Sequence, residues 1–280
     1  MSAASAATGG SSLRSWLLLA PLLVFLAAFF IVPLAQVAVM SVTEPEFGFG
    51  HYAEIVTDGF HLRVLGETFV TALVVSLCCL VLGFPLAYAM AAAPAGLAAA
   101  MMVVVTMSFW TSFLVRTYAW MVLLGNRGPV AQFVEWLGFA TPELLFTRFS
   151  STVAMTHILL PYMVLSLYGV LKRIEPSLPR SAASLGARPA SVIRHVVLPL
   201  AAPGIANGLT LVFVLCLGFY VTPILLGSPR EQMVAGVIGQ QVEEFLAFGE
   251  ASAMAMVLLA STLVVLGLYH RRFGLDRLWG

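Results

Sequence analysis

Six stretches of the chain, residues 16–40, 68–93, 97–124, 151–171, 203–226 and 251–269, are almost uninterruptedly apolar. Each is long enough to cross the ~30 Å hydrocarbon core of a bilayer as a helix, which takes about 20 residues. The chain is 60% hydrophobic and 10% charged over 280 residues, where a soluble domain carries roughly a quarter charged residues. No water-soluble fold of this size hides so much apolar surface, so lipid is the solvent for much of it. Backbone polar groups in hydrocarbon must be satisfied within the segment. The expected fold is therefore all-α, an integral membrane protein of about six transmembrane helices. The first stretch exceeds the 7–15 residue apolar core of a signal peptide and reads as a true first helix. The Ser/Ala/Gly-rich residues 1–15 before it read as a disordered cytoplasmic tail, 16–272 as the transmembrane domain and 273–280 as a C-terminal tail.

Charge distribution orients the spans. One set of connecting segments holds Arg14, Lys172, Arg173, Arg180, Arg188, Arg194, Arg271, Arg272 and Arg277, whereas the other holds only Arg63, Arg127, Arg148 and Arg230. Short loops rich in Lys and Arg stay on the cytoplasmic side, which places both termini and residues 172–202 there. The remaining basic residue, Arg116, falls inside the third span, whose continuity around Thr111–Arg116 the residues leave open. Cys78, Cys79 and Cys216 lie in apolar runs without metal or redox spacing and read as packing residues. Nothing in the net charge of +1 points to nucleic acid.

Residues 172–202 form a long basic connection with helix punctuation. Pro176 suits a first turn, Gly186 suits a helix C-terminal cap, and Pro189 suits the start of a second short helix. Val192, Ile193, Val196 and Val197 would form its apolar stripe, and Leu198-Pro199 would end it. Pattern alone leaves two readings open: a rigid knob for docking into another protein, or an amphipathic pair resting on lipid headgroups.

The run Pro176-Ser-Leu-Pro-Arg-Ser-Ala-Ala-Ser-Leu-Gly186-Ala, continuing through Ile193 and Leu198-Pro199 to Pro203-Gly204, resembles the EAA loop of binding-protein-dependent ABC importer permeases. Phe109–Gly125, Leu160–Tyr168 and Gly218–Gly227 are similar to spermidine/putrescine-type permeases, and that likeness runs in order from about Ser15 to Arg272. The resemblance implies a type I ABC importer permease fold and a chain that is not itself an enzyme. It implies an ABC ATPase dimer, a second homologous permease, an extracytoplasmic solute-binding protein and a small organic solute as partners, in a bacterial inner membrane. It also implies that this chain binds no cofactor, with ATP and Mg held on the partner ATPase. Polyamine transport is the activity it suggests. By motif position, Arg180, Ser181, Ala182, Gly186, Ala187, Arg188, Pro189, Ile193, Leu198 and Pro199 would couple to the ATPase. Arg180 stands where the family has a glutamate, a charge reversal that calls for a co-adapted partner surface.

The candidate substrate pathway consists of Trp110, Arg116, Tyr118, Tyr162, Tyr168, Asn207, Tyr220 and Thr222, polar or aromatic positions on the third, fourth and fifth spans. Aromatic faces attract organic cations. A charge inside hydrocarbon must face protein or water, which leaves two readings of Arg116. It is a pathway or gate residue, or a structural anchor bonded to backbone carbonyls or to Glu243 or Glu244. No Asp or Glu lies within a span, so a cationic solute would be read by loop carboxylates, the binding protein or the partner permease. There is no P-loop for ATP and no nucleophile–base constellation. The rival reading is an ATPase-independent secondary transporter or channel, which would leave residues 172–202 without a purpose.

Overall fold

The computed structural model describes residues 9–140, 143–228 and 231–273, and all regular structure among them is helical. Helix α1 (Gly9–Leu26) and α2 (Val32–Thr43) are joined by a π segment, Ala27–Ile31, into the first crossing. Helix α3 (Gly50–Thr57) is short and lies outside the spans. Helix α4 (Gly59–Ala92) is the second crossing, and a turn at Pro94 leads into α5 (Ala95–Trp110), α6 (Phe113–Leu124) and α7 (Pro129–Trp136). Helix α8 (Arg148–Leu171) is the fourth crossing. It is followed by α9 (Ser177–Ser184), α10 (Pro189–Val192), a second π segment, Ile193–Val197, and α11 (Leu198–Leu217). Helices α12 (Val221–Leu226), α13 (Val234–Glu243) and α14 (Phe248–Phe273) complete the chain.

Several sequence expectations need correction. The first helix already begins at Gly9, inside the segment expected as a tail; the rest of that tail and residues 274–280 lie outside the described residues. The continuity of the third span, left open by the sequence, is resolved as a break: α5 and the α6–α7 pair meet at 96° across Thr111-Ser112. The fifth does not run unbroken to 226, since the chain breaks after Leu217 and resumes as α12. Nor does Leu198-Pro199 end a docking helix: Pro189–Leu217 is one 29-residue element. The physical reason is the π segment. Proline cannot donate to the carbonyl four residues back, and its ring clashes with it. The wider turn, in which the Leu198 N–H reaches the Ile193 carbonyl, lets the helix continue through Pro199. The same device precedes Pro33, where the Val32 N–H bonds the Ala27 carbonyl.

The core is a three-helix packing of α4, α8 and α11, built from Ala72, Val75, Cys79, Met155, Leu159, Met163, Val212 and Cys216. Lipid tails are as apolar as leucine, so association rests on close approach at small residues. Gly204 and Gly208, four apart on α11, provide it: a methyl at Gly204 would stand 3.0 Å from Val170, and one at Gly208 2.6 Å from the Met163 sulfur. From the α4 side, a methyl at Gly83 would stand 3.0 Å from Met163. A second cluster, with Ile55, Val64, Val234, Val237, Ala253 and Met254, ties α3, α13 and the starts of α4 and α14 into a cap at one end. An ion pair of Arg148 with Glu67 fastens the same end, and Glu231 lies 3.9 Å from the same guanidinium.

Candidate functional site

The two broken spans meet. The glycines of α11 face Val170, Ser166 and Met163 in antiparallel register, and at the far end Ser150 donates to the Leu226 carbonyl at 2.6 Å. Helix α11 therefore stops near the middle of the 24-residue α8, and α12 climbs the remaining distance. Helix α5, of 16 residues, covers only about 24 Å before it too breaks. The buried hydroxyls of Thr117 on α6 and Thr222 on α12 lie 3.1 Å apart and pin the two continuations together. Irregular backbone at membrane depth is tolerated where it is buried in protein or lines a cavity, and here it borders two cavities.

The first cavity, about 470 Å³, lies at the two breaks. It is lined by Phe109, Ser112 and Arg116 at the α5–α6 corner, by Ile158, Leu159 and Tyr162 from the middle of α8, and by Leu215 and Phe219. Arg116 reaches back over the corner, its Nη1 donating to Ser108 Oγ at 2.9 Å. Its Nε is buried without an acceptor among the described residues. The Phe109 ring meets Tyr162 edge-on at 4.8 Å, and Trp120 donates to His157 Nδ1 at 3.2 Å behind them. The second cavity, about 960 Å³, lies across α6 from the first, between α6, α12 and α13, and is lined by Tyr118, Tyr220, Gln240, Glu243 and Glu244 among others.

The segment after α8 stands at the opposite end of the bundle. Helix α9 has no buried residue. It closes with a paired cap in which the Gly186 N–H bonds the Ala183 carbonyl and the Ala187 N–H bonds the Ala182 carbonyl. Gly186 takes φ +87° there, a conformation that favours glycine. Arg188 is extended and Pro189 opens the next helix, as the punctuation predicts. The apolar stripe turns inward: Val192 and Val197 are buried and Val197 joins the main core. Arg180, Arg188, Arg194 and, at 89% exposure, Leu185 remain outside.

No protein-family model matches the chain. It is 28% identical over 225 residues to the spermidine/putrescine transport permease PotB of Salmonella typhimurium, an alignment that covers 79% of this chain and 78% of the relative. It is 36% identical over 183 residues to the inner membrane ABC transporter permease YdcU of Escherichia coli, covering 59% and 58%. Its fold matches a chain of the bacterial alginate ABC transporter, solved with a periplasmic protein carrying an alginate pentasaccharide. That match has a TM-score of 0.73 and 20% identity, over 93% of this chain and 96% of the other. By sequence the chain is similar to permease subunits of ABC importers, and by fold to the permease chain of the alginate importer. It is a multi-pass inner-membrane protein of the type I importer fold.

Within the bundle, the candidate pathway residues do not converge on one point. Trp110, Arg116 and Tyr162 line the first cavity, and Tyr118 and Tyr220 line the second. Thr222 is buried between them as a strut. Tyr168 packs against the main core, and Asn207 is exposed on the outer face of α11. Arg116 bonds neither Glu243 nor Glu244, which sit at the other cavity. Phe109, Ser112, Phe219 and the two glutamates join the cavities without having stood out as pathway candidates, because only tertiary packing brings α6, α12 and α13 together.

Proposed function

We propose that this permease carries a small organic cation of the polyamine class, delivered by an extracytoplasmic solute-binding protein, in an importer powered by an ABC ATPase dimer and completed by a second homologous permease. Both termini and residues 172–202 face the cytoplasm in this reading, with 16–272 as the transmembrane permease domain between short tails. The observation that carries the mechanism is the continuity of Pro189–Leu217. This 29-residue rod is about 40 Å long. One end carries the exposed segment Arg180–Pro189, and the other ends beside Phe219 in the membrane-depth cavity.

The ATPase grips Arg180, Ser181, Ala182, Gly186, Ala187, Arg188 and Pro189, with Leu185 as the uncovered apolar tip. Ile193, Leu198 and Pro199 belong to the rod itself and transmit the movement. ATP-driven closure of the ATPase tilts the rod, and the hinge at Gly218–Tyr220 converts that tilt into a change of access at the cavities. ATP and loaded binding protein shift the equilibrium only because both favour the outward-open state over the resting one. The names of the PotB relatives support the polyamine class, as do the aromatic side chains at both cavities. Leu185→Asp tests the docking assignment. The variant permease should insert normally yet fail to co-purify with its ATPase; normal co-purification and full solute-stimulated ATP hydrolysis would overturn it.

A further inference from the structure

The second cavity has a floor, and that floor has a charge. Helical spacing sorts α13 into two faces. Val234 and Val237 are buried in the cap cluster, while Gly236, Gly239, Gln240 and Glu243 face the cavity. The helix is held from both ends: the Val234 N–H bonds Thr68 Oγ1 at 2.9 Å, and Gln241 donates to Glu250 at 2.5 Å. The glycines leave its backbone bare, so that a methyl at Gly239 would stand 3.9 Å from the Tyr220 ring. Tyr118 faces the same space from α6.

The carboxylates Glu243 and Glu244 end this helix, where no basic residue occupies the last turn. A helix C-terminus carries about half a negative charge, so acidic residues there oppose the dipole and cost stability. Among the described residues neither carboxylate has a cationic partner; Glu244 is held only by Gln240, at 2.9 Å, and both are exposed. A local rule broken without a structural return marks a functional position. The dipole and the two carboxylates concentrate negative potential on a cavity that also presents the Tyr118 and Tyr220 rings and an aliphatic wall of Leu114, Ile224 and Met233, and the ligand that fits all of these is a cation with an apolar carbon body.

We infer that this cavity is the acceptance site for an aliphatic diamine or longer polyamine as it leaves the binding protein. Glu243 and Glu244 bind one ammonium group, Tyr118 and Tyr220 receive another on their ring faces, and the methylenes between lie along Ile224. The inference rests on the polyamine reading above and supplies the anionic contact that the spans themselves lack.

The test is equilibrium binding of radiolabelled putrescine to the purified permease–ATPase complex without its binding protein, beside putrescine uptake by the complete importer in proteoliposomes. The double variant Glu243→Gln with Glu244→Gln should raise the dissociation constant about tenfold. Its folding is not at risk, since neutralising a helix C-terminus favours the helix. The Asp pair and Tyr220→Phe should stay near wild type, whereas Tyr220→Ala should weaken binding like the Gln pair. If the importer takes up putrescine and the Gln variant binds it unchanged, or the wild-type complex binds none, the acceptance site is wrong while the polyamine reading stands. If the wild-type importer takes up neither putrescine nor spermidine, the polyamine reading fails and the site falls with it.

Discussion

Replacing Gly186 separates backbone strain from steric bulk in the coupling segment. Gly186 holds φ +87°, and a Cβ added there meets nothing within 4 Å. A substitution therefore introduces no clash, and its whole effect is the cost of placing an L-residue in the left-handed region, roughly 1–2 kcal/mol. At 1.4 kcal/mol per factor of ten, that lowers the population of the capped geometry by about five- to thirtyfold. Valine, branched at Cβ, should sit at or above the top of this range, alanine near its lower end, and asparagine below both, because its side chain tolerates this conformation. The series is read as solute-stimulated ATP hydrolysis by the reconstituted importer, with thermal stability of the permease followed in parallel. Coupling should fall in the order Gly, Asn, Ala, Val while permease stability changes little, since α9 buries nothing. An asparagine variant as defective as the valine one, or a valine variant that couples normally, refutes the argument from the cap.

Three further outcomes are expected. Gly204→Ala pushes a methyl to 3.0 Å from the stiff Val170 side chain and should cost about 1–3 kcal/mol of stability, seen as a lower melting temperature in detergent. Arg116→Leu removes the charge from the membrane-depth cavity; uptake should fall with folding and ATPase assembly intact, whereas an unchanged uptake rate with lowered stability assigns Arg116 a purely structural role. Burial pushes the Glu231 carboxyl above its ordinary range, with nearby Glu67 adding to the rise and Arg148 opposing it. Its ionised form is thus disfavoured in the folded protein, and stability is lost as pH rises through the carboxylate range. Glu231→Gln should therefore raise the melting temperature at pH 7–8, and the gain should shrink as the pH is lowered toward that range.

Hydropathy made the crossings by α1–α2, α4, α8 and α14 legible, because hydrocarbon demands long apolar helices and tolerates little else. The break after Leu217 was not legible, and the one at Thr111-Ser112 was left open. Leu217 to Val221 stays apolar across the interruption, the polar pair Thr111-Ser112 is too short to break a hydropathy window, and hydropathy records composition, not backbone direction. Leu198-Pro199 read as a helix stop because proline usually is one; a π segment that accommodates it leaves no mark in the residue pattern. Gly186 was legible for the opposite reason, since a left-handed cap position has a chemical requirement that glycine meets. The cavity-facing roles of Glu243 and Phe219 depend on how α13 and α12 fold back against α6. That information is tertiary, and no local pattern of residues carries it.

If a docked ATPase drives this permease through the rod from Pro189 to Leu217, uptake must require ATP hydrolysis. Proteoliposomes containing the permease pair and loaded binding protein, with labelled putrescine outside, are compared with and without the ATPase subunits, and with ATP or a non-hydrolysable analogue. Uptake is expected only with both the ATPase and hydrolysable ATP. Uptake by the permease pair alone, or driven by an ion gradient, would contradict it and make the chain a secondary transporter.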